Sequence, residues 1–136
     1  MNPVAEETYR VLGLVAAIEG RHEEAERSLR EASTLPGAGS YTLATLGFAL
    51  AVEGRRAEAE DIRSELLART AREYVSPAAV AAVHIGLGEK QEALEWMERA
   101  YDARRGWLAY LRVNPLFDSL RNEPRFRALV ERMCYP

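Results

Sequence analysis

Apolar residues along this chain fall at helical spacing, in blocks of similar length parted by short polar turns. Over residues 22–33, Ala25, Leu29 and Ala32 share one face, and Glu23, Glu26, Arg27 and Arg30 the other. That one-sided pattern predicts an amphipathic helix from about His22 to Ser33. The helix before it should start at Asn2-Pro3, cap and first helical residue, and stop at Gly20 after about Glu19. A third is expected from a Ser40 cap to Gly54, holding Leu43, Leu46, Gly47 and Leu50 against its neighbours. A fourth runs over Ala57 to about Glu73, with Ile62, Leu66 and Leu67 as its apolar positions. Ser76-Pro77 repeats the cap-and-proline device for a fifth helix, whose Ala78, Ala79, Ala81, Ala82 and Gly86 allow close approach of a neighbour. The sixth, about Lys90 to Arg104, packs Ala93, Leu94, Met97 and Ala100 and ends at Gly106. Trp107 to Leu111 predicts only a short helix before an Asn114-Pro115 turn. Phe126, Leu129, Val130 and Met133 then mark a last, one-sided helix after Pro124, suited to capping.

One stretch recurs at an interval of 34 residues: Gly20-Arg21-His22-Glu23-Glu24-Ala25, Gly54-Arg55-Arg56-Ala57-Glu58-Ala59 and Gly88-Glu89-Lys90-Gln91-Glu92-Ala93. Each copy offers a glycine to end one helix in a left-handed conformation, an acidic start for the next, and an alanine for close contact. A fixed period of this length signals stacked helix-turn-helix units. The expected fold is all-α, one domain over residues 1–136, with units at about 6–39, 40–73 and 74–107 and a C-terminal cap over about 107–136.

The spacing resembles the tetratricopeptide repeat. In the first unit the matching residues are Tyr9, Leu12, Gly13, Ala16, Ala25, Leu29 and Ala32; in the second they are Leu43, Leu46, Gly47, Leu50 and Ala59. Arg63 stands where the family has a large apolar residue, so the second helix of that unit should rotate or lengthen. The third unit offers Pro77, Val80, Ala81, His84, Ala93, Met97 and Ala100. The resemblance implies a right-handed solenoid of three units, a short helix and a C-terminal capping helix, acting as a non-catalytic protein-binding scaffold. Tyr74-Val75-Ser76-Pro77, Gly106-Trp107-Leu108, Asn114-Pro115 and Pro124-Arg125-Phe126 are similar to the C-terminal end of repeat regions in multidomain bacterial regulators. That likeness implies a bacterial origin and a segment of a larger signalling protein, and transfers no catalytic residue.

Composition narrows the function classes. Apolar residues make up 48% and charged ones 29%, a globular rather than a disordered balance. The net charge of −3 comes from interleaved signs, leaving no basic stripe for nucleic acid. The longest apolar run, Tyr41 to Val52, is too short for a bilayer, and Met1-Asn2-Pro3 lacks the flank of a signal peptide, so a cytoplasmic setting is expected. Cys134 is the one cysteine, and His22 and His84 lack metal-ligand spacing; no metal, cofactor or catalytic residue is expected. His84 reads as a hydrogen-bonded core histidine. Glu23-Glu24 and Glu58, Glu60 and Asp61 read as solvated charges at helix starts, and Trp107, Tyr110 and Phe117 as packing beneath the cap.

Two binding surfaces remain. The family's inner positions carry over to an apolar groove at Arg10, Leu14, Tyr41, Phe48 and Ile85, where a protein or peptide partner would set a hydrophobic anchor. The chain's own Trp107 to Leu120 segment is an alternative occupant of that groove. The second surface is the first helix, apolar nearly all round, where Val4, Val11, Val15 and Ile18 would form a self-association edge for a homodimer.

Overall fold

The three repeated glycines close the turns as their spacing requires. Gly20, Gly54 and Gly88 have φ of +82°, +97° and +79°, a left-handed conformation that a side chain would strain. The residue after each donates its N–H five residues back: Arg21 to the Ala16 carbonyl at 2.8 Å, Arg55 to Leu50 at 2.9 Å and Glu89 to His84 at 2.8 Å. These bonds satisfy carbonyls that a helix end leaves open.

The computed structural model describes residues 4–102 and 115–134. They form α1 (Val4–Ile18), α2 (His22–Ser33), α3 (Ser40–Glu53), α4 (Arg56–Thr70), α5 (Pro77–Gly86), α6 (Lys90–Asp102), a 3-10 helix (Pro115–Leu120) and α7 (Pro124–Cys134). The chain is thus an all-α helical-repeat solenoid, with no strand among the described residues. Hairpins α1–α2, α3–α4 and α5–α6 stack in order: α3 lies against both α1 and α2, and α5 against both α3 and α4. The expected short helix at Trp107 to Leu111 and the stop at Gly106 lie outside the described residues.

Small residues set the spacing. A Cβ on Gly13 would stand 2.4 Å from the Leu29 Cγ, so α1 and α2 touch where the first unit has no side chain. Gly47 is its equivalent in α3, and there a Cβ would meet Ile62 Cγ2 at 2.9 Å and Val83 Cγ2 at 3.2 Å. Ile62 rather than Arg63 covers Gly47, so α4 presents the neighbouring residue to the glycine, and buried Leu66 supplies bulk where α2 has Ala32. Arg63 then points its guanidinium at Glu89 on the third unit.

Several boundaries differ from the sequence expectations. Ser40 is the first residue of α3 rather than its cap, and Gly39 precedes it. Gly39 is the cap residue, with no side chain to accept an N–H, and its own N–H donates to Thr42 Oγ1 at 3.3 Å. α4 stops at Thr70, short of Glu73, and Leu67 is exposed rather than packed. At α5 the expected device holds: Ser76 Oγ accepts the Ala78 N–H at 3.2 Å, and Pro77 opens the helix.

The 3-10 helix lies against α1 and α5, and α7 against α6. Leu116, Phe117, Leu120, Phe126 and Leu129 are buried beneath this pair, with Phe117 stacked on Phe126 at 6.4 Å between ring centres.

Candidate functional site

α1 turns its small residues inward. Gly13, Ala16 and Ala17 are buried against α2 and α3, because the bulk at that joint comes from Leu29 of the neighbouring helix. Apart from half-buried Leu14, its described large apolar side chains face out: Tyr9, Val11, Leu12, Val15 and Ile18 are all exposed. The row is an exposed apolar patch on one helix. Of the self-association edge, Val11, Val15 and Ile18 share this row; the side chain of Val4 lies outside the described residues.

The groove residues divide. Arg10 is half-buried, donates from Nε to Glu6 Oε1 at 3.2 Å and lies over the Tyr41 ring at 5.1 Å. Glu6 is buried and also accepts from the Thr42 hydroxyl, which ties α1 to the start of α3. Burial raises the Tyr41 hydroxyl above its ordinary range, against the opposing charge of Arg10. Leu14 and Tyr41 are half-buried, whereas Phe48 and Ile85 are buried in the core. A cleft of about 290 Å³ runs between Ile18, Phe48, Val52 and Ile85 on one side and Leu116, Asp118 and Ser119 on the other. The groove and the edge of α1 therefore meet at Ile18, under the lip of the 3-10 helix.

Polar side chains at the joints are engaged in ion pairs. Glu26 accepts from Arg30 at 2.8 Å and from Arg55 of the next unit at 2.5 Å. The hydrogen bond from Arg30, then that from Arg55, hold its carboxyl below the usual range against the opposing effect of burial. Glu23 and Glu24 are exposed, with Glu24 paired to Arg21, and Glu58 and Glu60 are paired to Arg55 and Arg56.

His84 is buried, and its Nδ1 lies 2.7 Å from Glu89 Oε1, so it is a hydrogen-bonded core histidine. Its Nε2 has no partner among the described residues. With a carboxylate at Nδ1, that nitrogen carries a hydrogen and donates it to Glu89. Glu89 in turn accepts from Arg63, closing an Arg63–Glu89–His84 chain across the second joint. Sequence reading paired neither Arg63 nor His84 with Glu89. The only signal was Arg63 standing at an apolar position. Among the described residues, no three His, Cys, Asp or Glu side chains gather as metal ligands, and no helix is long and apolar enough to cross a membrane.

Residues 7–31 and 40–63 match the family model for the tetratricopeptide repeat. No curated protein and no solved structure matches the chain. The two matched stretches begin in α1 and α3 and reach well into α2 and α4, the helices that form the first two hairpins. The third hairpin follows them with the same glycine turn and the same buried alanine, Ala93. By the period, the glycine-closed turns and these two matches, the first two hairpins are tetratricopeptide repeats.

Proposed function

We propose that the chain is a non-catalytic protein-interaction module whose partner contacts the exposed face of α1 and the half-open end of the groove at Arg10, Leu14 and Tyr41. Tetratricopeptide repeats are in general protein-interaction modules. The observation that carries the choice of surface is the row of Tyr9, Val11, Leu12, Val15 and Ile18, large apolar side chains exposed on one helix. A segment bound deeper, on Phe48 and Ile85, must displace Leu116 and the buried Phe117 and Leu120 behind it. Each such side chain contributes about 1.5–3 kcal/mol by its burial, which favours the shallow end. The likeness of Tyr74 to Phe126 to bacterial regulators supports a cytoplasmic segment of a larger signalling protein.

The immobilised chain should capture a protein partner from its source cell, and Val15→Glu, at an exposed position and matched for thermal stability, should lose it. A wild-type chain that retains nothing beyond what the variant retains overturns this reading.

The same exposed row supports a second reading, self-association through Val4, Val11, Val15 and Ile18. The outer face of α7 carries Arg127, Glu131 and Arg132, all exposed, so a head-to-tail stack has no apolar match and a two-fold pairing of α1 is the closed solution. Sedimentation should then show a concentration-dependent dimer that Val11→Glu weakens at least tenfold, about 1.4 kcal/mol. A monomer at the highest attainable concentration rules it out.

A further inference from the structure

The first helix of each hairpin ends at one cleft. Ile18 is the last residue of α1, and Val52 and Ile85 are next to last in α3 and α5. Together with Phe48 and Leu116 they wall the cleft of about 290 Å³ beside the 3-10 helix. Phe48, Ile85 and Leu116 are buried and form its depth, whereas Ile18 and Val52 are 39% and 43% exposed and form its rim. An apolar cavity of about 150 Å³ holds a benzene molecule, so this one has room for a large side chain. A single side chain enters beside Leu116 and leaves it in place, which a whole segment laid on Phe48 and Ile85 does not.

The charge around the cleft has one sign. Among the described residues that line it, Asp118 alone is charged, and it is exposed. Arg121 donates to Asp118 Oδ1 at 2.8 Å, but from the other side: its guanidinium lies over the Phe126 ring and lines a separate cavity against α7. Helix C-termini add partial negative charge. The carbonyls of Ile18 and Val52 accept no N–H among the described residues, because the turn bonds go to Ala16, Ala17, Leu50 and Ala51. The end of α5 shows what such a place takes, since Arg56 donates from Nη1 to the Leu87 carbonyl at 3.1 Å. At the first two turns the nearest arginines are engaged with carboxylates, Arg21 with Glu19 and Glu24, and Arg55 with Glu26 and Glu58.

We infer that the cleft receives a large apolar side chain of a protein partner that carries Lys or Arg beside it. The apolar group lies against Phe48, Ile85 and Leu116, and the cation meets Asp118 and the ends of α1 and α3. The inference rests on the chain acting as an interaction module and names the partner's chemistry at this place, a hydrophobic anchor with basic flanks. It continues the exposed row of α1 through Ile18, which belongs to both surfaces. An acidic flank would set like charge against Asp118 and two helix C-termini, so the same groups select against an acidic partner.

The test titrates the full chain with three short synthetic peptides, each a Gly/Ser sequence around one Leu, with Lys, Ser or Glu on both sides of it. Methyl resonances of Ile18, Val52, Ile85 and Leu116 should shift with the Lys peptide, which at low salt should bind roughly fivefold or more tighter than the Glu peptide. Replacing its Leu by Ser should abolish these shifts. Asp118→Asn, which keeps an oxygen for Arg121, should narrow the ratio of affinities. Val52→Arg, at an exposed position and matched for thermal stability, should reverse it. Equal affinity for the Lys and Glu peptides, no saturable binding, or shifts confined to residues away from the cleft overturns the inference. So do shifts of the cleft methyls that grow with protein concentration in the absence of peptide, which give the cleft to a second copy. A partner captured from the cell equally by wild type and Val52→Arg keeps the module reading and overturns the inference. The expected peptide preference with no partner captured does the reverse: the module reading falls and the chemistry of the cleft stands.

Discussion

Gly86→Val is expected to lower the thermal midpoint by roughly 10 °C. Gly86 is the last residue of α5, and a Cβ there would stand 3.0 Å from the Phe48 Cα, 3.1 Å from the Phe48 carbonyl oxygen and 3.1 Å from the Ala51 Cβ. Two of these atoms are backbone of α3 and the third is a Cβ fixed to it, so none can turn aside as the end of a long side chain can. Valine would drive α3 and α5 apart, at a cost of about 3 kcal/mol. Gly86→Ala adds one methyl to the same contact while gaining up to about 1 kcal/mol of helix propensity, so it should be far milder. Calorimetry on both variants separates the two effects. Equal midpoints for valine and wild type would refute the backbone contact.

Glu89→Ala should cost about 2–3 kcal/mol, because it strands two partners at once. Arg63 loses the carboxylate beneath its half-buried guanidinium, and the buried His84 Nδ1 loses its one acceptor. Burial tends to raise the Glu89 carboxyl, but hydrogen bonds and charge from Arg63 and His84 outweigh it and hold the group below its ordinary 4.5. A carboxyl depressed in the folded state contributes stability that is fully present above the unfolded value and is lost as pH falls through the folded one. Wild type should therefore lose stability below pH 4.5, and Glu89→Gln should lose less of it over that window, starting from a lower value at pH 7. Denaturant titrations of the two proteins at pH 3, 4, 5 and 7 decide this. Parallel curves would show that other carboxylates carry the acid sensitivity.

Period and turn chemistry were legible in the sequence because they are local. A glycine followed by a polar turn needs only its neighbours to take a left-handed φ, so Gly20, Gly54 and Gly88 and the bounds of α2 came out as expected. Ser40 was misread as a cap because the sequence does not show that Thr42 reaches back to Gly39. The 3-10 helix at Pro115–Leu120 is one short stretch, too brief for a hydrophobic period to register. Site residues were harder, since their exposure is decided by chain far away in sequence. Phe48 and Ile85 look like groove lining until Leu116 is placed across them, and Arg63 looks like a defect until Glu89 is placed opposite.

The 3-10 helix against both α1 and α5 changes how the array comes apart. A stack in which each unit meets only its neighbours can fray from either end, each hairpin leaving in turn. Here Pro115–Leu120 bridges the first hairpin to the third, with Leu116 across a cleft from Phe48 and Val52 of the second, while its stacking partner α7 rests on α6. Loosening α1 therefore strips contacts from the far end of the chain, and release of the C-terminal helices opens the cleft over Phe48 and Ile85. Unfolding is drawn toward one cooperative transition, and folding is slowed by the need to bring residues about 100 positions apart together before that contact contributes.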